Sequence, residues 1–135
     1  MSTESLLSGD LVVAHGADTL SLVQVTDGHL TGTETGYLLG MNTARSAKGV
    51  IDAVLATESA DCILVTGDIA ADGQPEAYGQ LQALLGTSVP SLWLPGNHDD
   101  VSSHKDRYAP HMKRRLRAKH WDVVMLETRV EGEVG

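Results

Sequence analysis

The 135-residue chain contains no phenylalanine, and its only aromatic residues other than histidine are two tryptophans and three tyrosines. Its core is therefore expected to be built from Leu, Val, Ile and Ala, in thin layers. It has one cysteine, Cys62, so no internal disulfide can form; inside an apolar run this residue reads as buried. No apolar stretch reaches the ~20 residues of a membrane-spanning helix, and residues 1–10 show no basic segment followed by a long apolar one. Neither a signal peptide nor a membrane span is expected, and the cytoplasm is the expected compartment. Basic residues are also scarce, ten Lys and Arg against 18 Asp and Glu, for a formal net charge of −8. That balance argues against a nucleic-acid partner, whose binding is driven by basic surface. A small phosphorylated substrate stays compatible with it, because bound metal ions supply positive charge locally.

What is present reads as one globular domain: 41% of residues are hydrophobic and 21% charged. Residues 1–20 are polar and mixed and are expected to form an N-terminal extension, with a short strand at 11–14. The β-rich run at 21–26 stops at Asp27-Gly28. A Gly/Thr-rich loop is expected over 31–40. Ala47, Val50, Ile51, Val54 and Leu55 then repeat on one helical face, with Asn42 or Thr43 as N-cap. Residues 62–66 form a continuous apolar run, as expected of a strand covered on both faces, and end at Gly67-Asp68. Pro75 can open a second helix and Gly86 can close it. A third strand at 91–94 ends at Pro95-Gly96. A basic helical stretch is expected from about 103 to 119, with Tyr108, Met112 and Leu116 on one stripe, then a strand over 121–128. Strands alternating with helices predict βαβ crossovers and a largely parallel sheet.

Three polar clusters directly follow predicted strands: Asp27-Gly28-His29, Gly67-Asp68 and Gly96-Asn97-His98-Asp99. In an open α/β sheet the carboxyl ends of parallel strands share one edge, and ligands bind there. Clusters far apart in sequence should therefore converge. Carboxylate, imidazole and amide oxygen form a ligand set for Fe, Mn or Zn. Asp27 and His29 could grip one ion, Asp68 could bridge two through its two oxygens, and Asn97 could serve the second. His98 would lie beside the metals, with Asp99 orienting its imidazole. Gly67 and Gly96 would let the backbone turn sharply and approach a ligand closely. Asp-Gly and Gly-Asn are also turn signals. Three such clusters at three strand ends argue for a metal site over turns alone.

In this order, Asp27-x-His29, Gly67-Asp68 and Gly96-Asn97-His98-Asp99 resemble the first three signature motifs of the calcineurin-like metallophosphoesterases. The segments 23–30, 39–43, 65–70 and 93–99, with the closing strand at 121–128, look like the bacterial 3′,5′-cyclic AMP phosphodiesterase branch. The resemblance runs from Leu22 to the C-terminus. It implies the N-terminal half of a four-layered α/β/β/α sandwich, with a mixed sheet flanked by helices, over a domain at 21–135 truncated at its C-terminal end. It implies two divalent metal ions, Fe or Mn with Zn as a further choice, held by Asp27, His29, Asp68 and Asn97. It places nucleotide against His29, Asp68, Asn97 and His98, and catalysis on His98 with Asp99 behind it. The implied reaction is hydrolysis of cyclic AMP to AMP by two-metal, in-line attack of hydroxide. The alternative is a catalytically incomplete chain that serves as a metal- or nucleotide-binding or interaction module.

Two features depart from the family pattern. Gly28 stands where Thr, Ser or a larger residue is usual, which should loosen the turn carrying Asp27 and His29. No His-x-His occurs anywhere in the chain, whereas the family draws further metal-ligating histidines from a Gly-His-x-His motif. His15, His104, His111 and His120 read as surface or capping residues. A half sandwich should also expose the faces and edge of its sheet, favouring self-association.

Overall fold

The computed structural model describes residues 7–13, 18–57, 59–100, 108 and 110–129. The apolar runs form a parallel sheet of β2 (Leu22–Val25), β5 (Cys62–Val65) and β6 (Ser91–Trp93), in the order β2-β5-β6. Parallel neighbours need crossovers, supplied by α1 (Thr43–Thr57) and α2 (Pro75–Leu85). Right-handed crossovers running the same way put both helices on one face, where they pack together. Asn42 caps α1, its Oδ1 accepting the Arg45 N–H at 2.9 Å. Pro75 opens α2, and Gly86 ends it at φ 67, donating its N–H to the Gln82 carbonyl.

Two elements appear where a loop and a helix were expected. Within the Gly/Thr-rich loop, β3 (Tyr37–Leu38) and β4 (Met41–Asn42) form a short antiparallel hairpin. Leu39 and Gly40 both have positive φ, 50 and 82, as a primed two-residue turn demands. In the basic stretch, Arg115–Ala118 is strand β7, not helix. Its side chains alternate, Leu116 buried and Arg117 exposed, which is the period of a strand. β7 lies between β1 (Asp10–Val12), to which it is parallel, and β8 (Trp121–Val124), to which it is antiparallel. The chain thus builds a second three-stranded sheet beside the parallel one.

The arginines of β7 meet carboxylates across the strands. Arg115 donates to Asp10 at 2.8 Å, and Arg117 lies 3.7 Å from Asp122. The hydrogen bond from Arg115 holds the Asp10 carboxyl below its ordinary pKa. The basic run therefore serves pairing within a sheet. Tyr108, Met112 and Leu116 are all buried, but they enter the core from different local structures and not along one helical stripe.

Aromatic residues are few, yet they centre the core. Trp93, Tyr78 and Tyr108 are fully buried, with ring centroids 5.2 Å apart for Tyr78–Tyr108 and 6.0 Å for Trp93–Tyr108. Most of the remaining core is Leu, Ile, Val and Ala, as expected, and each ring pair adds about 0.5–1.5 kcal/mol beyond its burial. Cys62 is fully buried as expected, and burial pushes its thiol up to about 11. Among the described residues, no helix is long and apolar enough to cross a membrane.

His111 is half-buried rather than a surface residue. Its ring stacks on Trp93 at 4.3 Å, within hydrogen-bond reach of Gln82 and Ser91. Burial lowers its pKa below 6.5, so the folded chain holds it neutral. Its contribution to stability is complete above pH 6.5 and is lost as pH falls through the lowered folded value. The urea midpoint should fall over that window, and His111→Gln should flatten the decline. His120 is exposed, 3.3 Å from Asp18. His15 and His104 lie outside the described residues.

Candidate metal centre

Beyond the last paired residues of β2 and β5, the two chains stay stitched together. Asp27 N–H donates to the Gly67 carbonyl at 3.0 Å, His29 N–H to the Asp68 carbonyl at 3.0 Å, and Leu30 N–H to the Ile69 carbonyl at 2.7 Å. These bonds bring the first two polar clusters side by side at the carboxyl edge of the parallel sheet. Asp27, His29 and Asp68 all take left-handed backbone, with φ of 56, 44 and 47. Non-glycine residues rarely do so, and such strain gathers at functional sites. Asp27 and His29 therefore share a side through a left-handed turn rather than through strand alternation.

The ligand atoms of Asp27, His29 and Asp68 lie within 4.8 Å of one another. His29 Nε2 is 3.8 Å from Asp27 Oδ1 and 3.9 Å from Asp68 Oδ2. These gaps are too long for hydrogen bonds and suit donors arranged around one cation. Thr26 Oγ1 donates to Asp27 Oδ2 at 2.6 Å, fixing that carboxylate from outside the cluster. Two carboxylates and an imidazole fit a divalent ion of the first transition row.

The third cluster arrives from the end of β6. His98 N–H donates to Asp68 Oδ1 at 3.0 Å, so Asp68 divides its oxygens between the His98 amide and the side facing His29. Asn97 is exposed on the same turn, one residue before that amide. The His98 ring meets the His29 ring edge-on at 5.3 Å, and its Nδ1 lies 3.2 Å from the Ala71 carbonyl. Asp27, His29, Asp68 and His98 are thus gathered, with Asn97 beside them.

Asp99 is not against the His98 imidazole. It is buried, and its carboxylate faces backbone: Oδ2 accepts the Ile69 and Gly96 N–H groups at 3.1 and 2.7 Å, and Oδ1 accepts the Ala70 N–H at 2.9 Å. Oδ1 also accepts the Tyr78 hydroxyl at 3.0 Å. Tyr78 Oη in turn accepts the Asp100 N–H at 3.0 Å, and burial together with the Asp99 charge raises the phenol's pKa. Asp99 therefore ties the loop after β5 to the loop after β6. The sequence carried no signal for the Tyr78 tie, because Tyr78 reads equally well as core. Arg129 closes the same turn, its Nη1 donating to the Asp99 carbonyl at 3.0 Å.

The glycines are explained by contact. A Cβ on Gly96 would collide with Asp68, both its backbone N and its Oδ1. Gly67, at φ 112, packs on Gly96, whose Cα would lie 3.1 Å from a Cβ placed there. Gly96→Ala should therefore cost about 1–3 kcal/mol by overpacking and push Asp68 out of place; thermal unfolding with and without Mn²⁺ checks both effects. Gly28 is different, because a Cβ there would meet only Ile69 O and Leu30 Cγ, each at 3.8 Å. A Cβ would fit there, and the turn is held by the Asp27 and His29 amides rather than by the residue between them.

The comparisons with known proteins agree with this geometry. A family model described as calcineurin-like phosphoesterase matches residues 7–130. The chain is similar to a 3′,5′-cyclic adenosine monophosphate phosphodiesterase of Escherichia coli, 33% identical over 135 residues, covering 96% of this chain and 48% of that protein. It is 33% identical over 116 residues to a 3′,5′-cyclic-nucleotide phosphodiesterase of a Nostoc species, covering 82% and 44% of the two. A Pseudomonas aeruginosa 3′,5′-cyclic adenosine monophosphate phosphodiesterase is 32% identical over 117 residues, covering 84% and 43%. The chain spans about half the length of these relatives. With three donors converging at one sheet edge and the family match running through all three motifs, the chain belongs to the calcineurin-like phosphoesterase family.

Proposed function

We propose that this chain carries one half of the catalytic site of a metal-dependent phosphodiesterase that hydrolyses 3′,5′-cyclic nucleotides, cyclic AMP to AMP above all. The observation that carries the reading is the gathering of Asp27, His29 and Asp68 at the sheet's carboxyl edge, in a chain whose relatives bear the names of cyclic-nucleotide phosphodiesterases. In this reading Asp27 and His29 would hold one ion, Asp68 would serve both, and Asn97 would serve the second. The ions are Fe or Mn, with Zn as the further choice. When bound, they supply positive charge to the phosphoryl oxygens and acidify a water.

The chain's own residues set the rest. The Ala71 carbonyl beside His98 Nδ1 selects the tautomer with its proton there, which leaves Nε2 to face the ester. Protonated His98 would give its Nε2 proton to the leaving oxygen. Asp99 acts through the turn it fastens, so we assign it a positioning role. The nucleotide lies against His29, Asp68, Asn97 and His98. The acidic surface leaves nucleic acid and membrane out of the partner set, and the cytoplasm is the compartment we assign. Open strand β2, with Leu22 exposed at one side of the parallel sheet, is where a second copy would pair.

The absence of His-x-His from these 135 residues favours a second reading, a chain that binds metal or nucleotide without turnover. Assaying the purified chain with Mn²⁺ on cyclic AMP and on a chromogenic phosphodiester separates the two. Chelator-sensitive release of AMP would establish the phosphodiesterase reading for this chain. Saturable nucleotide binding with no turnover of either substrate would instead establish the non-catalytic reading.

A further inference from the structure

A cleft of about 360 Å³ opens beside the metal centre, between the loop after β2, the β3–β4 hairpin and the first two turns of α1. Asp27 and His29 form one end of it. Leu38 and Met41 of the hairpin and Val50 and Ile51 of α1 form apolar walls. Among the described residues no Lys or Arg lines it, and Asp27 is the only carboxylate that does. The cleft is therefore unsuited to a second anionic group. Its volume falls within the range of about 300–1,000 Å³ that holds small molecules.

Two hydroxyls line the α1 side, Thr43 and Ser46. Thr43 is 7% exposed, and its buried Oγ1 has no hydrogen-bond partner among the described residues. That hydroxyl is sealed from the cleft, so the side-chain hydroxyl open to a ligand on this side is that of exposed Ser46. Met41 and Val50, about three-fifths exposed, lose water to any flat ring laid between them, and a methionine sulfur adds a favourable contact with such a ring.

We propose that this cleft is the binding site for the neutral heterocyclic ring of the substrate, a nucleobase with a hydrogen-bonding edge presented to Ser46. The inference rests on the phosphodiesterase reading and extends it: the phosphoester lies at Asp27 and His29, and the base runs outward along α1 under the hairpin. The β3–β4 hairpin thereby sets preference among phosphodiesters, since a small alkyl diester leaves the cleft empty.

Methyl-resolved NMR of the chain with adenosine, which carries no phosphate, tests the cleft without relying on the metal centre. The methyl signals of Leu38, Met41, Val50 and Ile51 should shift saturably, whereas ribose should leave them still. Ser46→Ala should weaken adenosine binding about fivefold, the loss of one neutral hydrogen bond. Val50→Asp, at an exposed position that tolerates the change in fold, should abolish the shifts. Unmoved methyls at millimolar adenosine, or shifts of equal size in Val50→Asp, would overturn the proposal. Failure of the phosphodiesterase reading looks different: cyclic AMP then survives incubation with Mn²⁺ while the adenosine shifts persist.

Discussion

Asp68→Asn should cost the chain on the order of a hundredfold or more in affinity for Mn²⁺, at least the upper end of what second-shell changes cost metal sites. The substitution is nearly neutral for the fold. Asn tolerates the left-handed backbone that Asp68 takes at φ 47. It also keeps an oxygen to accept the His98 N–H, now 3.0 Å from Oδ1. What it loses is the negative charge and the oxygen facing His29 at 3.9 Å. Calorimetric Mn²⁺ titration should register the loss, while the melting temperature without metal should stay within a degree or two. Any turnover found in the parent chain should disappear with it. A variant that binds Mn²⁺ as tightly as the parent would remove Asp68 from the ligand set.

Asp99→Ala should be the most destabilising single change near the site, at about 3–5 kcal/mol from stranded donors. Its carboxylate accepts three backbone N–H groups and one phenolic hydroxyl, and the residue is 5% exposed. Alanine would strand all four donors in the interior, where each unmet donor costs about 1–3 kcal/mol before relaxation. Asp99→Asn should not rescue it. Each oxygen takes two donors, so an amide NH₂ would point at a backbone N–H whichever way it is turned. Urea unfolding measures the effect. A loss below about 1 kcal/mol for Asp99→Ala would return Asp99 to the role of a surface partner for His98.

How much of this was legible beforehand differs by element, for physical reasons. The runs at β2, β5 and β6 are apolar and end in Gly or Asp, so both the strands and their functional edge can be read from one chain. Helix α2 announces itself through Pro75 and Gly86. The strand β7 does not, because its alternation is carried by Arg115 and Arg117, and consecutive basic residues look helical until their carboxylate partners at Asp10 and Asp122 are placed beside them. The β3–β4 hairpin has only two paired residues per strand, too few to show a period. The aromatic core was hidden by rarity, since composition counts rings but does not say where they gather.

At the site, identities were readable and roles only partly so. Asp27, His29 and Asp68 converge because strand ends converge, a consequence of topology alone. The place of Asp99 depends on Tyr78, Ile69 and Ala70, which are 21 to 30 residues away in sequence. No local pattern encodes that arrangement. His111 escaped for the same reason: it sits in a turn, and its stacking partner Trp93 lies in β6.

The central claim is that a divalent ion is held between the loops after β2 and β5. Paramagnetic broadening of backbone amide signals by substoichiometric Mn²⁺ locates such an ion directly. The amides of Asp27, Gly28, His29, Asp68 and His98 should vanish first, and those of Lys48, Asp52 and Asp122 should persist. Broadening that begins at Asp52 or Asp122, or that spreads evenly over the acidic surface, would contradict the account.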